Sequence, residues 1–563
     1  MKLKNYIAKL VFIIDIKWKD YVIFQLVSIF LTFTSTASAL LFPYMLSIIV
    51  DTDYQGNYIR YIPMYVLELL LIGIIMFITD YIKEVYIVNF ANKMIKCIKE
   101  KVYAKVTITN GLFWDENKIG DIFTILQQDI SSLESLLTSL IGNIFSNSLV
   151  FIGVAVYILY QDIMSGILLI FLSVFFVCFQ RYIAKQVQNN SKQLREAVGH
   201  QSAFLNESLN NMNILHLCDC KNLIINKYSI QNDQIISLTT KRTKMISISQ
   251  ALGGSYNVLG IICVIALGMV KVNAGSMSIG VLFSLLLYIQ RLYSPIVNLA
   301  NQYVTIKKNL PIIDKIYDVL CNHNVISSGN YCSNKNLQGT IEMKHINFSY
   351  LHSKKTVFKD LNLFIKKGEI IGIVGDNGSG KSSLIKLLTK IYENYEGKIE
   401  IDGVDLKDYN TDYLRKQIGM MGQINHLLSG SIKSICNPQN DEILDIKLKN
   451  YMKLFGLNAD HFREGIETVI DENNLNLSGG ELQRINLIRL LIEDKPINIF
   501  DEPTAAIDFR SEKIICLNLR EMLHEKTAII ITHRPMLLNI CDKIFCIKDF
   551  QAIDETTTWK TKR

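Results

Sequence analysis

Charge is scarce in this sequence. Asp, Glu, Lys and Arg together make up 20% of its 563 residues, against 49% hydrophobic residues. That balance is unusual for a soluble enzyme and points to several membrane spans. Paired CxxC motifs at zinc spacing are absent. The 11 cysteines lie scattered, some inside apolar runs (Cys178, Cys263), and Cys218/Cys220 and Cys541/Cys546 are too isolated to argue a metal. They read as packed or idle thiols on a reducing side. A signal peptide is lacking too, because the charged segment through Asp20 leads into a hydrophobic run too long for an h-region. The length calls for two or three domains.

Apolar stretches long enough to cross a bilayer lie at Tyr21–Val50, Tyr61–Ile82, Ile141–Tyr160, Ile163–Tyr182, Ala251–Val270 and Ile279–Ile296. A span needs roughly 20 predominantly apolar residues. The connections 51–60, 161–162 and 271–278 are short, whereas 83–140 and 183–250 are long and polar. Positive charge alternates with them. The short connections hold only Arg60 and Lys271, while Lys83, Lys93, Lys96, Lys99, Lys185, Lys192, Lys241, Arg242 and others crowd the long ones. The positive-inside rule therefore places the N-terminus and both long loops in the cytoplasm. The net charge of +7 is mostly topological, so no nucleic-acid partner is expected.

Phe123, Leu126, Ile130, Leu133, Leu136 and Leu137 recur at i+3/i+4 spacing, so an amphipathic helix is expected in the first long loop. Cys321–Gln338, rich in Asn, Ser and Gly, reads as a linker. The expected domains are 1–320 in the membrane, 321–338 as linker and 339–563 as a second domain.

The chemistry lies in that last part. Ile370–Val374 has strand character. It is followed by Gly375, Asp376, Asn377, Gly378, Ser379, Gly380, Lys381, Ser382 and Ser383, and then by a helical pattern through Leu388. GxxxxGK[ST] in this strand–loop–helix setting is a phosphate-binding loop. Glycines let backbone N–H groups curl around phosphate oxygens at a helix N-terminus. Lys381 reaches the β- and γ-phosphates of ATP, and the Ser382 hydroxyl coordinates Mg²⁺. A second apolar strand, Ile497–Phe500, ends in Asp501 and Glu502. Asp501 is expected to hold Mg²⁺, directly or through water, and Glu502 to act as general base on the attacking water.

Between them stands Leu477-Ser-Gly-Gly-Glu481-Leu-Gln-Arg484. With this motif the chain resembles the ABC ATPases, whose LSGGQ signature opens a helix that binds the γ-phosphate of nucleotide held by another nucleotide domain. Ser478, Gly479 and Gly480 match, and Glu481 departs from the usual Gln. The resemblance implies that Tyr350 stacks on adenine, that Gln423 contacts Mg²⁺ and the attacking water, that Ala506-Ile-Asp508 is the D-loop, and that His533 senses the γ-phosphate. Alone, Tyr350 or His533 would read as a core aromatic or a surface histidine; order and spacing carry the assignment.

The resemblance covers nearly the whole chain and is to the exporter-type half-transporter, with six spans fused to one nucleotide domain. It implies an all-α membrane domain with long cytoplasmic helical extensions, followed by an α/β P-loop NTPase domain. Phe113–Asp121 resembles the first intracellular loop, Glu207-Ser208 the second, and Thr468–Glu472 the loop before the signature, with Asp471 in place of the usual Gly. The segment from Asp549 to Arg563 lacks the usual C-terminal pattern. Such chains pair head to tail around two ATPs, which implies a homodimer, or a heterodimer with a second half-transporter.

The cargo is less defined. Glu68, Asp80, Gln290, Arg291 and Asn298 lie in or at the ends of spans, where polar groups are costly and face a cavity or a partner, or snorkel. The cavity as read is apolar with few charges, which suits an amphipathic cargo: a bacteriocin-like or modified peptide, a lipid or a drug. No peptidase segment precedes the spans, so leader cleavage by this chain is not expected. An ATP-gated sensor without net transport is the alternative from another class. A soluble ABC ATPase of DNA repair conflicts with the spans.

Overall fold

The computed structural model describes residues 2–14, 18–53, 62–138, 144–218, 220–351, 353, 355–423, 427, 429–438, 442–457, 462, 464–470 and 477–561. Contacts divide the chain into two units, Met1–Val106 with Gly120–Cys321, and Thr107–Ile119 with Asn322–Arg563.

The first unit is helical. Among the described residues, six helices are long and apolar enough to span a membrane: Lys19–Asp51, Pro63–Thr107, Ile144–Gln161, Ile163–Leu209, Lys221–Asn273 and Ile279–Leu299. A 48-residue helix such as Ile163–Asn210 is about 72 Å long at 1.5 Å per residue, more than twice the roughly 30 Å hydrocarbon layer. The excess forms the helical extensions expected for the long loops.

The apolar surface of the second span is not buried within the unit, and Phe77 is 73% exposed. In water that would be unstable; against lipid it is the solvent-matched surface. Packing concentrates instead where Val154, Ile158, Leu169, Val264, Leu285, Tyr288, Ile289 and Leu292 meet.

Polar side chains tie the short connections. Asp162 accepts bonds from the Met164 and Ser165 N–H groups at 3.2 and 3.3 Å and pairs with Lys271. Asp51 accepts from Ser278 Oγ at 2.6 Å and from the Gly280 N–H at 2.8 Å. Within the spans, Arg291 donates to the Ala39 carbonyl at 2.7 Å, and Asp80 accepts from Ser35 at 2.6 Å and Lys83 at 2.9 Å. These groups are partnered, as hydrocarbon demands.

The amphipathic stretch of the first long loop folds as Ile119–Thr124, a five-residue π turn Ile125–Asp129, and Ile130–Thr138. Ile130, Leu133, Leu136 and Leu137 are buried, whereas Phe123 is 63% exposed. The wide π turn shifts the helical phase between them.

The second unit is α/β. Its strands are β1 (Ile341–Ser349), β2 (Thr356–Ile365), β3 (Ile370–Val374), β4 (Glu396–Ile401), β5 (Val404–Asp405), β6 (Ile418–Met421), β7 (Gly430–Ser431), β8 (Val469–Ile470), β9 (Ile497–Asp501), β10 (Thr527–Ile531), β11 (Lys543–Lys548) and β12 (Gln551–Asp554). Strands β2-β1-β4-β5 form an antiparallel sheet, and β12-β11-β3-β10-β9-β6 form a second sheet that is parallel except for β12. Every residue of β3, β9 and β10 is buried, because elements cover both faces, so these strands are mostly apolar rather than alternating.

The segment read as a linker lies along this unit. Gly329 N–H donates to the Tyr409 carbonyl at 3.0 Å, and Tyr413 OH to the Lys335 carbonyl at 2.7 Å. The short helix Gly111–Glu116 belongs here too. Its Gly111 N–H donates to the Ile391 carbonyl at 2.8 Å, Asp115 accepts from Tyr392 OH at 2.9 Å, and Phe113 is buried.

Candidate nucleotide site

The C-terminal ends of β3, β10 and β9 lie side by side, since β10 pairs with both neighbours. Crevices outside such strand ends are where parallel sheets bind ligands. Here a cleft of about 730 Å³ opens, lined by Tyr350, residues 376–383, Gln423, Asp501, Glu502 and His533, among others. Strand β10, which ends two residues before His533, stands between the strand of the phosphate loop and the strand of the carboxylates.

The phosphate loop is shaped by its glycines. Gly375 has φ 152°, and a Cβ there would stand 2.7 Å from the Ile547 carbonyl oxygen. Gly380 has φ 109° and caps the helix Lys381–Leu388; a Cβ there would press on Val357 and Phe358 at 2.8 Å. Lys381 Nζ folds back on the loop, donating to the Gly375 carbonyl at 2.6 Å and the Asp376 carbonyl at 3.0 Å. Ser379 Oγ is buried with no hydrogen-bond partner. An unpaired buried hydroxyl is costly, and a phosphate oxygen would satisfy it, so the loop fits a polyphosphate.

The metal end fits as well. Asp501 is buried, and its carboxyl is pushed above the usual carboxylate range, first by burial and then by the charge of Glu502, against the pull of Lys381. A divalent cation would relieve that cost, and the exposed Ser382 hydroxyl opens the adjacent helix. Glu502 takes a left-handed backbone (φ 51°), rare for a side chain of its size. Its N–H donates to the Ile531 carbonyl at 2.9 Å, and its carbonyl accepts from Gln483 Nε2 at 2.8 Å. Strain held at a cleft is a mark of function. Tyr350 OH shares a hydrogen bond with Ser383 Oγ at 2.8 Å, and its ring meets Phe348 and Tyr392 edge-on at 5.1 and 5.3 Å.

The family description "ABC transporter" matches residues 358–505, which hold this cleft's phosphate loop and carboxylates, and "ABC transporter transmembrane region" matches residues 25–296. The chain belongs to the ABC transporters. Among its relatives, the "Putative multidrug export ATP-binding/permease protein" of Staphylococcus aureus strain bovine RF122 / ET3-1 is 25% identical over 499 residues, 86% of each chain. The same-named protein of strain NCTC 8325 / PS 47 is 25% identical over 498 residues. The structure of a bacterial Atm1-family ABC exporter with ATP bound aligns at TM-score 0.79 over 94% of each chain, with 21% identity, and so shares the fold. The transporter is thus an ATP-binding, ATP-hydrolysing membrane protein with a helical span domain and an ABC nucleotide domain.

Not every expected site residue lies in the cleft. Ser478, Gly479, Gly480, Glu481 and Asp508 are absent from its lining. Ser478 caps the helix Gly479–Ile492 in a capping box. The Glu481 carboxylate accepts from Ser478 N–H at 2.8 Å and Ser478 Oγ at 2.7 Å, so the transporter keeps a well-formed signature end with Glu in place of Gln. Asp508 caps Phe509–Met522, accepting from the Arg510 and Ser511 N–H groups, each at 3.0 Å. Hydrogen bonding from Ser511, first through its side chain and then through its N–H, holds the Asp508 carboxyl below the usual range. Asp471 and Glu472 lie outside the described residues.

Residues that sequence reasoning missed connect these parts. Gln483, buried on the signature helix, donates to the Glu502 carbonyl while its Oε1 accepts from the Ala506 N–H at 2.7 Å. Arg534, next to His533, donates to the Ala505 carbonyl at 2.8 Å, the Ile507 carbonyl at 3.0 Å and buried Glu512 at 3.1 Å. One carboxamide and one guanidinium therefore fix residues 505–507 and the Glu502 peptide together. A polar Gln among the apolar positions of a buried helix was the only signal in the sequence.

Proposed function

We propose that the chain is one half of an exporter that works as a homodimer in the cell membrane. Its N-terminus and nucleotide domain face the cytoplasm, as the lysine-rich long loops require. The observation that carries this reading is the split of the chemistry. Tyr350, the phosphate loop, Gln423, Asp501, Glu502 and His533 share one cleft, while Ser478–Glu481 and Asp508 stand outside it. A signature helix end outside its own chain's cleft is available to the nucleotide of a second copy.

In that reading Lys381 and the loop N–H groups hold the β- and γ-phosphates, and Tyr350 takes the adenine. Ser382, Asp501 and Gln423 hold Mg²⁺, which supplies charge neutralisation on the phosphates. Glu502, fixed through its backbone, orients and deprotonates the attacking water, and His533 contacts the γ-phosphate. Closure of two nucleotide domains on ATP favours the outward state, and hydrolysis resets it.

The favoured cargo is an amphipathic peptide, which suits an apolar cavity with few charges. A drug cargo is the second reading, supported by the multidrug-export names of the relatives. The test is ATP turnover of the chain purified alone in lipid against a panel of peptides, lipids and drugs. Basal turnover is expected, with stimulation by one class. Intact ATP binding without turnover under every condition contradicts the homodimer.

A further inference from the structure

We propose that Phe550 is a nucleotide-binding residue, whose ring packs against the nucleoside part of the ATP bound in the cleft. The inference rests on the ATP-site reading above and adds to it a contact that the motifs do not contain.

Strands β11 and β12 pair antiparallel with Lys548 opposite Gln551, which leaves Asp549 and Phe550 as a two-residue turn. Both have positive φ, 49° and 68°. Two-residue turns of this kind require left-handed backbone at both positions and favour Asp-Gly or Asn-Gly. Asp549 conforms. Phe550 does not: its β-carbon is crowded where a glycine would be at ease. Burial does not repay the strain, because the residue is 44% exposed.

Its placement supplies a reason. Lys548, Asp549 and Phe550 line the same cleft as Tyr350 and the phosphate loop. The turn is anchored on both sides. The Phe550 carbonyl accepts from the Lys359 N–H at 3.2 Å, and the Ile547 carbonyl approaches the Gly375 backbone so closely that no side chain fits there. A half-exposed phenyl ring on the wall of a polyphosphate site offers nothing to phosphate. It offers a flat apolar face to a base or a ribose, and aromatic stacking tolerates any base. A strained aromatic at a cleft points to a ligand contact.

The test uses the full chain in lipid, with ATP and inorganic tripolyphosphate each displacing a fluorescent nucleotide. Phe550→Gly relieves the backbone and removes the ring, so its thermal midpoint without nucleotide is expected to equal or exceed the parent's. ATP binding should weaken by about fivefold to tenfold, the scale of one lost stacking contact. Tripolyphosphate, which has no base, should bind as before, and Phe550→Tyr should retain ATP affinity. ATP affinity within about twofold of the parent overturns the proposal. So does an equal loss of ATP and tripolyphosphate, since the turn would then only support the phosphate loop. If Phe550→Gly lowers the midpoint, Phe550→Leu against Phe550→Tyr decides: weaker ATP binding in the Leu variant alone supports the contact, and equal binding refutes it. Lys381→Ala separates the two readings. Loss of both ligands there with no effect of Phe550→Gly sinks only this inference, whereas no loss in Lys381→Ala sinks the phosphate-loop assignment itself.

Discussion

Replacing Gln483 by Leu removes one carboxamide and changes two loops. The side chain is 1% exposed and makes two hydrogen bonds, 2.8 Å to the Glu502 carbonyl and 2.7 Å from the Ala506 N–H. Losing two hydrogen bonds costs about 0.5–1.5 kcal/mol each, so the variant should lose roughly 1–3 kcal/mol of nucleotide-domain stability. The kinetic effect follows from strain. The left-handed Glu502 peptide then keeps its N–H bond to Ile531 at 2.9 Å and, on its carbonyl, only the longer 3.3 Å bond from the Ala505 N–H. Relaxation of that peptide displaces the carboxylate that faces the cleft, and a displacement near 1 Å costs about a hundredfold in rate. Nucleotide affinity should persist, because Lys381, Ser379 and Tyr350 are untouched. Gln483→Glu gives a sharper comparison: one oxygen can still accept from Ala506, but the other faces the Glu502 carbonyl with no proton to donate. Turnover and ATP affinity, measured separately at a temperature where both variants are folded, check this. Parent-like turnover in both variants refutes the positioning role.

Glu502→Gln should bind ATP normally and lose turnover by at least about a hundredfold, read as phosphate release in lipid; full turnover removes Glu502 as the base. Asp501 is a carboxyl whose folded value is raised, so its charge costs stability above that value and costs nothing well below it. Asp501→Asn should therefore raise the nucleotide-free melting temperature at pH 7. The gain should shrink as pH falls below the carboxylate range, and Mg²⁺-dependent turnover should be lost. A lower melting temperature at pH 7 contradicts the burial argument. A Cβ on Gly111 would run into the Tyr392 ring. Gly111→Ala should therefore undock the Gly111–Glu116 helix from its unit and raise proteolysis within 107–119; an unchanged cleavage pattern denies that this packing matters.

The legible parts of the chain were those in which chemistry and sequence are adjacent. Spans declare themselves by composition, and Gly375–Ser382 must be contiguous because backbone N–H groups surround one phosphate chain. That Tyr350, Gln423 and His533 join Asp501 in one cleft was reached by resemblance, since no local pattern brings Tyr350 next to Ser383. Illegible were contacts made across long separations by ordinary residues. Nothing in Gly111–Glu116 announces a seat on Ile391 and Tyr392, and nothing in Arg534 or Glu512 announces a clamp on residues 505–507. The exposure of Phe123 escaped the helical pattern because a π turn breaks the 3.6-residue phase. The asparagine- and serine-rich segment after Cys321 has linker composition yet is held by Tyr409, Tyr413 and Glu393, partners that a single-sequence reading does not supply.

The central claim is that the ATP site is completed by the signature of a second copy. Its most direct test is nucleotide occlusion in the hydrolysis-deficient Glu502→Gln chain, purified alone and weighed as an intact complex after ATP and Mg²⁺ are added. The account predicts two chains with two trapped nucleotides. It further predicts that adding Ser478→Arg abolishes trapping, although Ser478 lies outside its own chain's cleft. A single chain that traps ATP, or trapping unaffected by Ser478→Arg, would contradict it.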